Sequence, residues 1–218
     1  MKIKSLVLET KDVERLAGFY EKILALVVVK SETEFSVSIG LTTIRFKQSA
    51  SQESFYHFAI NIPCNKIEEV KEWLSKKVKL LWIEDYKSVI ADFVNWKAKS
   101  VYFFDAAGNI VELIARHELN NEVKEKFSSK HFLSISEIGL VFPQKEIESK
   151  TTKLLQQFSL SYFDKQLPFP NFKAVGDDEG LFIIVTEDRH WYPTTKTSGT
   201  YPLEIEFEQK GKNYEVSF

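Results

Sequence analysis

One pattern recurs three times along this chain: an alternating apolar strand, a short polar break and an amphipathic helix. Few folds accommodate such a repeat. The first copy runs Ile3–Glu9 then Asp12–Leu26, the second Phe55–Ile62 then Asn65–Val78, the third Ile135–Phe142 then Lys145–Phe158. The helices open alike, with Val13-Glu14, Ile67-Glu68 and Ile147-Glu148 at matching places. Acidic groups there suit the positive end of the helix dipole. Asp12 and Asn65 are the expected N-caps. Val13, Leu16, Phe19, Tyr20 and Ile23 recur at helical spacing, as do Ile67, Val70, Trp73 and Leu74. Packing against a sheet accounts for both stripes.

Strand signals follow the helices. Phe35–Ile39 and Thr42–Lys47 flank Gly40-Leu41 and predict a hairpin. Ser100–Phe104 and Ile110–Arg116 flank Asp105-Ala106-Ala107-Gly108-Asn109, where Asp opens the turn and Gly108 supplies a positive φ. Leu181–Thr186 and Leu203–Glu208 are further strands, with Glu204, Glu206 and Glu208 expected on a solvated edge. Gln166–Asp178 and Pro193–Tyr201 are expected loops. One repeat cannot bury its own sheet face, so repeats must pair. The expected fold is α+β: βαβββ modules paired into a curved, cup-shaped mixed sheet with helices outside. The expected division is a module pair over 1–118 (about 1–50 and 53–118), a linker or short helix over 119–132, and a divergent third module over 133–218.

Charge and cysteine content remove several classes. With 29 Lys+Arg against 31 Asp+Glu the net charge is −2, and no basic footprint for nucleic acid is present. No apolar run can span a bilayer and no basic, then apolar, leader is visible, so a cytoplasmic protein is expected. Cys64 is the single cysteine, which excludes an intramolecular disulfide and argues against a thiolate zinc cluster.

Val101-Tyr102-Phe103-Phe104-Asp105-Ala106-Ala107-Gly108-Asn109-Ile110-Val111-Glu112-Leu113 resembles the strand-turn-strand of the vicinal oxygen chelate superfamily. That superfamily includes glyoxalase I, bleomycin- and fosfomycin-resistance proteins and ring-cleavage dioxygenases; Ala106 stands where proline is usual. The opening Ser5-Leu6-Val7-Leu8, with Phe19-Tyr20-Glu21-Lys22-Ile23-Leu24, is similar to its first strand and helix. The resemblance implies a small-molecule ligand in the cup and a divalent metal there, iron, manganese, nickel or zinc. It implies His57 and Glu112 as ligands and catalytic groups, with Ser5 where the first module usually has histidine and Arg45 near a position where some members have glutamate. It also implies chemistry on vicinal oxygens, in a monomer or a homodimer.

Strand alternation tests the assignment independently. Phe58, Ile60 and Ile62 share the helix-facing side of one strand, leaving His57, Ala59 and Asn61 on the other. Val111, Leu113 and Ala115 likewise leave Ile110, Glu112 and Ile114 opposite. Ser5, Arg45, Tyr102 and Asn61 then join His57 and Glu112 as expected cup residues. One imidazole and one carboxylate fall short of a metal's usual three protein ligands, and Ser5 does not complete the set. Three readings of the pair stay open: a metal site, a metal-free acid–base couple, and a mutually hydrogen-bonded structural pair. Glu137 occupies the first-strand position of the third module, as a ligand or as a partner for a cation. Arg189-His190-Trp191-Tyr192-Pro193 is either a packed turn or a closure over a ligand. A non-catalytic, sequestering protein remains the alternative to an enzyme.

Overall fold

The computed structural model describes residues 1–49 and 53–218. The junction between the first two repeats, expected between 50 and 53, lies outside the described residues. The first repeat gives strand β1 (Lys2–Thr10), helix α1 (Val13–Gly18), and strands β2 (Val28–Lys30), β3 (Glu34–Ile39) and β4 (Thr42–Gln48). The second gives β5 (His57–Ile62), α2 (Ile67–Ser75), β6 (Ile90–Phe93), β7 (Ala98–Phe104) and β8 (Ile110–Arg116). The third gives β9 (Ser134–Phe142), α3 (Ile147–Phe158), β10 (Phe172–Asp177) and β11 (Gly180–Thr186), and the chain ends in the hairpin β12 (Leu203–Gln209) and β13 (Lys212–Ser217).

Local chemistry explains the helix limits. Asp12 caps α1 by accepting the Arg15 amide at 2.9 Å. Beyond Gly18 the helix widens into a π turn over Phe19–Ile23, which buries Tyr20. Lys66, rather than Asn65, stands at the cap of α2, without a side-chain bond. The Asn65 amide instead bonds the backbone of Val123 and holds the 119–132 segment. Two short 3₁₀ turns, His117–Leu119 and Ser129–His131, lie at the two ends of that segment.

Two mixed sheets result. One has the order β13-β12-β1-β4-β3-β2, the other β10-β11-β9-β5-β8-β7-β6. The first repeat therefore pairs with the C-terminal hairpin through antiparallel β1 and β12, and the second repeat pairs with the third through antiparallel β5 and β9. This corrects the expected pairing of the first two repeats. It also makes β12 an inner strand, whose Glu204 meets Lys47 at 3.1 Å instead of lying on an open edge. Phe172–Asp177, expected as loop, is the outer strand of the second sheet.

Helix α1 packs on β3 and β4, α2 on β7 and β8, and α3 on β11. Phe58, Ile60, Ile62, Val111, Leu113 and Ala115 all join the single large core beneath them, as alternation requires. Val70 and Leu74 of α2 are fully buried there, each contributing about 1.5–3 kcal/mol. Gly40, at φ +55°, lets the β3–β4 turn sit directly on the backbone that leads into β9, where a Cβ would lie 2.0 Å from the Leu133 carbonyl oxygen. The opposite face of the second sheet carries a separate apolar cluster including Tyr102, Ile110, Ile183 and Trp191. That face is the cup.

Candidate metal centre

Registry across the second sheet builds the site. Ala59 on β5 is the cross-strand neighbour of Glu112 on β8 and, on its other side, of Glu137 on β9. Its small side chain leaves the space above it to the two carboxylates. His57, two residues earlier, projects from the same face. Its Nε2 lies 3.7 Å from a Glu112 oxygen and 4.0 Å from Oε2 of Glu137. One donor atom from each of the three residues falls within 4.8 Å of the others, and all three residues are buried.

The turn expected before β8 holds this registry. The Asp105 carboxylate accepts the amides of Ala107 and Asn109 at 2.9 and 3.0 Å, and Gly108 adopts φ +82°. Asn109 in turn accepts the Tyr56 amide at 2.8 Å, fastening the start of β5 to the turn. The site is therefore anchored one residue from His57.

Burial sets the protonation of the three groups. The His57 imidazole is pushed down to about 4, chiefly by burial and further by the charge of Arg189, so it is neutral at pH 7. Its Nδ1 lies 3.3 Å from the Ile110 carbonyl oxygen, which can only accept. Nδ1 therefore carries the proton and the Nε2 lone pair faces the carboxylates, as in a ligating histidine whose other ring nitrogen donates to a backbone carbonyl. Burial and the neighbouring Glu137 raise Glu112 to about 8. Burial also raises Glu137, opposed by the adjacent Arg116.

Arg116 is fully buried at the end of β8. It pairs with Oε1 of Glu137 through Nη2, donates from Nε to Ser136 Oγ at 3.0 Å and reaches Asp178 at 3.3 Å through Nη1. The guanidinium lies 5.6 and 5.8 Å from the ring centroids of Trp96 and Phe163. One Glu137 oxygen is thus committed to Arg116 and the other is left facing His57. Two donors about 2.1 Å from a single ion lie roughly 3–4.2 Å apart, depending on the angle. The triad, with its prearranged lone pair and one free oxygen per carboxylate, fits a divalent ion after a small contraction.

Above the triad lies a cavity of about 350 Å³ whose lining includes His57, Glu112, Glu137, Tyr102, Trp191 and Arg189. Trp191 covers His57 with ring centroids 5.1 Å apart. Gly139 on β9 makes room for it, since a Cβ there would lie 2.5 Å from the indole.

Of the six residues expected in the cup, the structure brings His57, Glu112 and Tyr102 together. Ser5 and Arg45 belong to the other sheet, where Ser5 donates to Glu206 at 3.4 Å and Arg45 registers with Val7. Alternation reports the face of a strand and not its partner sheet, so by itself it does not separate them from His57. Asn61 lies on the correct face but two residues beyond Ala59, and its Nδ2 donates to the Asp178 carbonyl at 3.2 Å instead of reaching the cavity. Glu137 is the member that sequence reasoning left apart; its matching first-strand position was the available signal. Arg116 carried no such signal.

No family model and no curated protein matches this sequence. Solved structures do. A provisionally named dioxygenase from Bacillus subtilis subsp. subtilis str. 168 superposes over 100% of this chain and 84% of its own, at 14% identity and a TM-score of 0.61. A glyoxalase I variant from Zea mays superposes over 90% of this chain and 70% of its own, at 13% identity and a TM-score of 0.54. With its repeated modules, its cup and these two structural likenesses, the chain has the fold of the vicinal oxygen chelate superfamily.

Proposed function

We propose that this protein is a metal-dependent enzyme acting on a small organic molecule in the cup between its second and third repeats. The observation carrying this reading is the convergence of His57, Glu112 and Glu137 on one point at the floor of the cavity. Two carboxylates and an imidazole form a hard, anionic donor set suited to manganese, iron, nickel or zinc in the divalent state. A bound ion would act as a Lewis acid on substrate oxygens.

The chain's own groups supply the rest. His57 presents an unprotonated Nε2 because the Ile110 carbonyl holds the proton at Nδ1. Arg116 opposes the upward push of burial on Glu137 and holds one of its oxygens, leaving the other turned inward. Without an ion the Glu112 carboxyl retains its proton at neutral pH and stands as the proton-holding group of the cup. Trp191 walls His57 from solvent, so that electrostatic interactions on the floor are strengthened. The fold supports glyoxalase- or dioxygenase-type chemistry on adjacent oxygens as the reaction class.

Metal titration of chelator-treated protein tests the reading. Uptake of about one Mn(II), Fe(II), Ni(II) or Zn(II) per chain is expected, with affinity falling at least ~10-fold in Glu137→Gln and Glu112→Gln. Elemental analysis after gel filtration measures it, and urea unfolding confirms that the variants are folded. No stoichiometric uptake of any of the four ions refutes the proposal.

A further inference from the structure

The polar groups of the cavity are unevenly occupied. On its floor Glu137 is paired with Arg116, and His57 Nδ1 is held by the Ile110 carbonyl. The rim differs. Arg189 is the one cationic residue in the lining, among the described residues, and it has no carboxylate partner there. Its hydrogen bond is a 3.5 Å contact to the His190 carbonyl, and its guanidinium lies 4.9 Å from the Phe172 ring centroid. The Tyr192 hydroxyl is buried in the same lining with no hydrogen-bond partner. The remaining walls are largely aromatic: Phe93, Trp96, Tyr102, Phe172 and Trp191.

We propose that the cavity selects a small aromatic carboxylate, with its ring against these walls and its carboxylate on Arg189. This deepens the preceding section and rests on its reading of the cavity as a small-molecule site. A half-buried guanidinium without a counter-charge has lost hydration that one long carbonyl contact and an aromatic face replace only in part. A carboxylate returns two charge-assisted hydrogen bonds in the geometry of the guanidinium fork, and the Tyr192 hydroxyl adds a neutral donor. Among the described residues Arg189 is the one cation of the lining without a counter-charge, so the carboxylate takes the Arg189 end and the rest of the molecule is directed at the triad. A volume of about 350 Å³ is at the lower end for ligand pockets and suits one ring with a short side chain.

Titration with 3-phenylpropanoate and with its uncharged amide tests the inference, read by quenching of Trp96 and Trp191 emission in metal-free and Mn(II)-loaded protein. The acid is expected to bind about tenfold more tightly than the amide. Arg189→Gln should abolish that preference and Arg189→Lys retain part of it, with metal uptake unchanged in both. Equal affinity for acid and amide, a preference that survives Arg189→Gln, or no binding of either probe overturns the inference. If the preference and its loss are seen while no metal is taken up, the metal reading fails and the inference about the rim stands.

Discussion

Replacing Gly139 with alanine isolates the contact that seats Trp191 over His57. The added Cβ would lie 2.5 Å from Cη2 and 2.9 Å from Cζ2 of the indole. Ordinary carbon contacts lie at about 3.5–4.0 Å, so the deficit is about 1 Å. Trp191 is 4% exposed and packed on the His57 ring, so it cannot swing aside freely. Overpacking of this kind costs about 1–3 kcal/mol. Alanine in place of strand glycine returns about 0.5–1 kcal/mol through backbone entropy, which leaves a net loss of about 0–2.5 kcal/mol. In a Trp191→Leu background the clash is absent. The next neighbour is then the His57 carbonyl oxygen at 3.3 Å, a contact that a slight strand shift relieves. There the substitution should leave stability unchanged or raise it by up to about 1 kcal/mol, so the two backgrounds differ by the overpacking cost of about 1–3 kcal/mol. Equilibrium urea unfolding of the four proteins measures both steps, with an unchanged slope as the check that the denatured state is the same. Equal effects of the substitution in the two backgrounds would refute the placement of Trp191.

Two further outcomes follow from the buried charges. Arg116→Met strands Glu137 and should cost about 3–5 kcal/mol in urea unfolding of metal-free protein, with most of the loss recovered in Arg116→Met/Glu137→Gln. Burial raises the Asp105 carboxyl from 3.8 to about 6, against the stabilising bonds from Asn109, Tyr20 and Ala107. The unfolded chain thus releases this proton at lower pH than the folded one. Its contribution is full below pH 3.8 and is lost as the pH climbs through 6, by roughly 3 kcal/mol. Stability of Asp105→Asn, measured relative to the parent across that interval, should lack this slope.

The repeat, its helices, the Asp105–Asn109 turn and the sharing of one face by His57 and Glu112 were legible in the residues alone. Each depends on chemistry within a few positions: a period of two in strands, 3.6 in helices, and the φ preference of Gly108. β5 and β8 also belong to one repeat, so their shared cup required no distant contact. The failures lie where distance along the chain is large. Phe172–Asp177 has no strong strand pattern of its own and becomes β10 by pairing with β11. Alternation put Ser5 and Arg45 on a cup-facing side, yet β1 joins β12 and leaves them in another sheet. The first strands of all three repeats present similar edges, and local sequence does not decide which two meet. That choice is made by burial of whole sheet faces in one core. Only the antiparallel docking of β9 on β5 brings Glu137 across Ala59 from Glu112, and only the fold supplies Arg116 to hold it there. Two of the three donors were therefore written into one repeat, and the third was decided by tertiary structure.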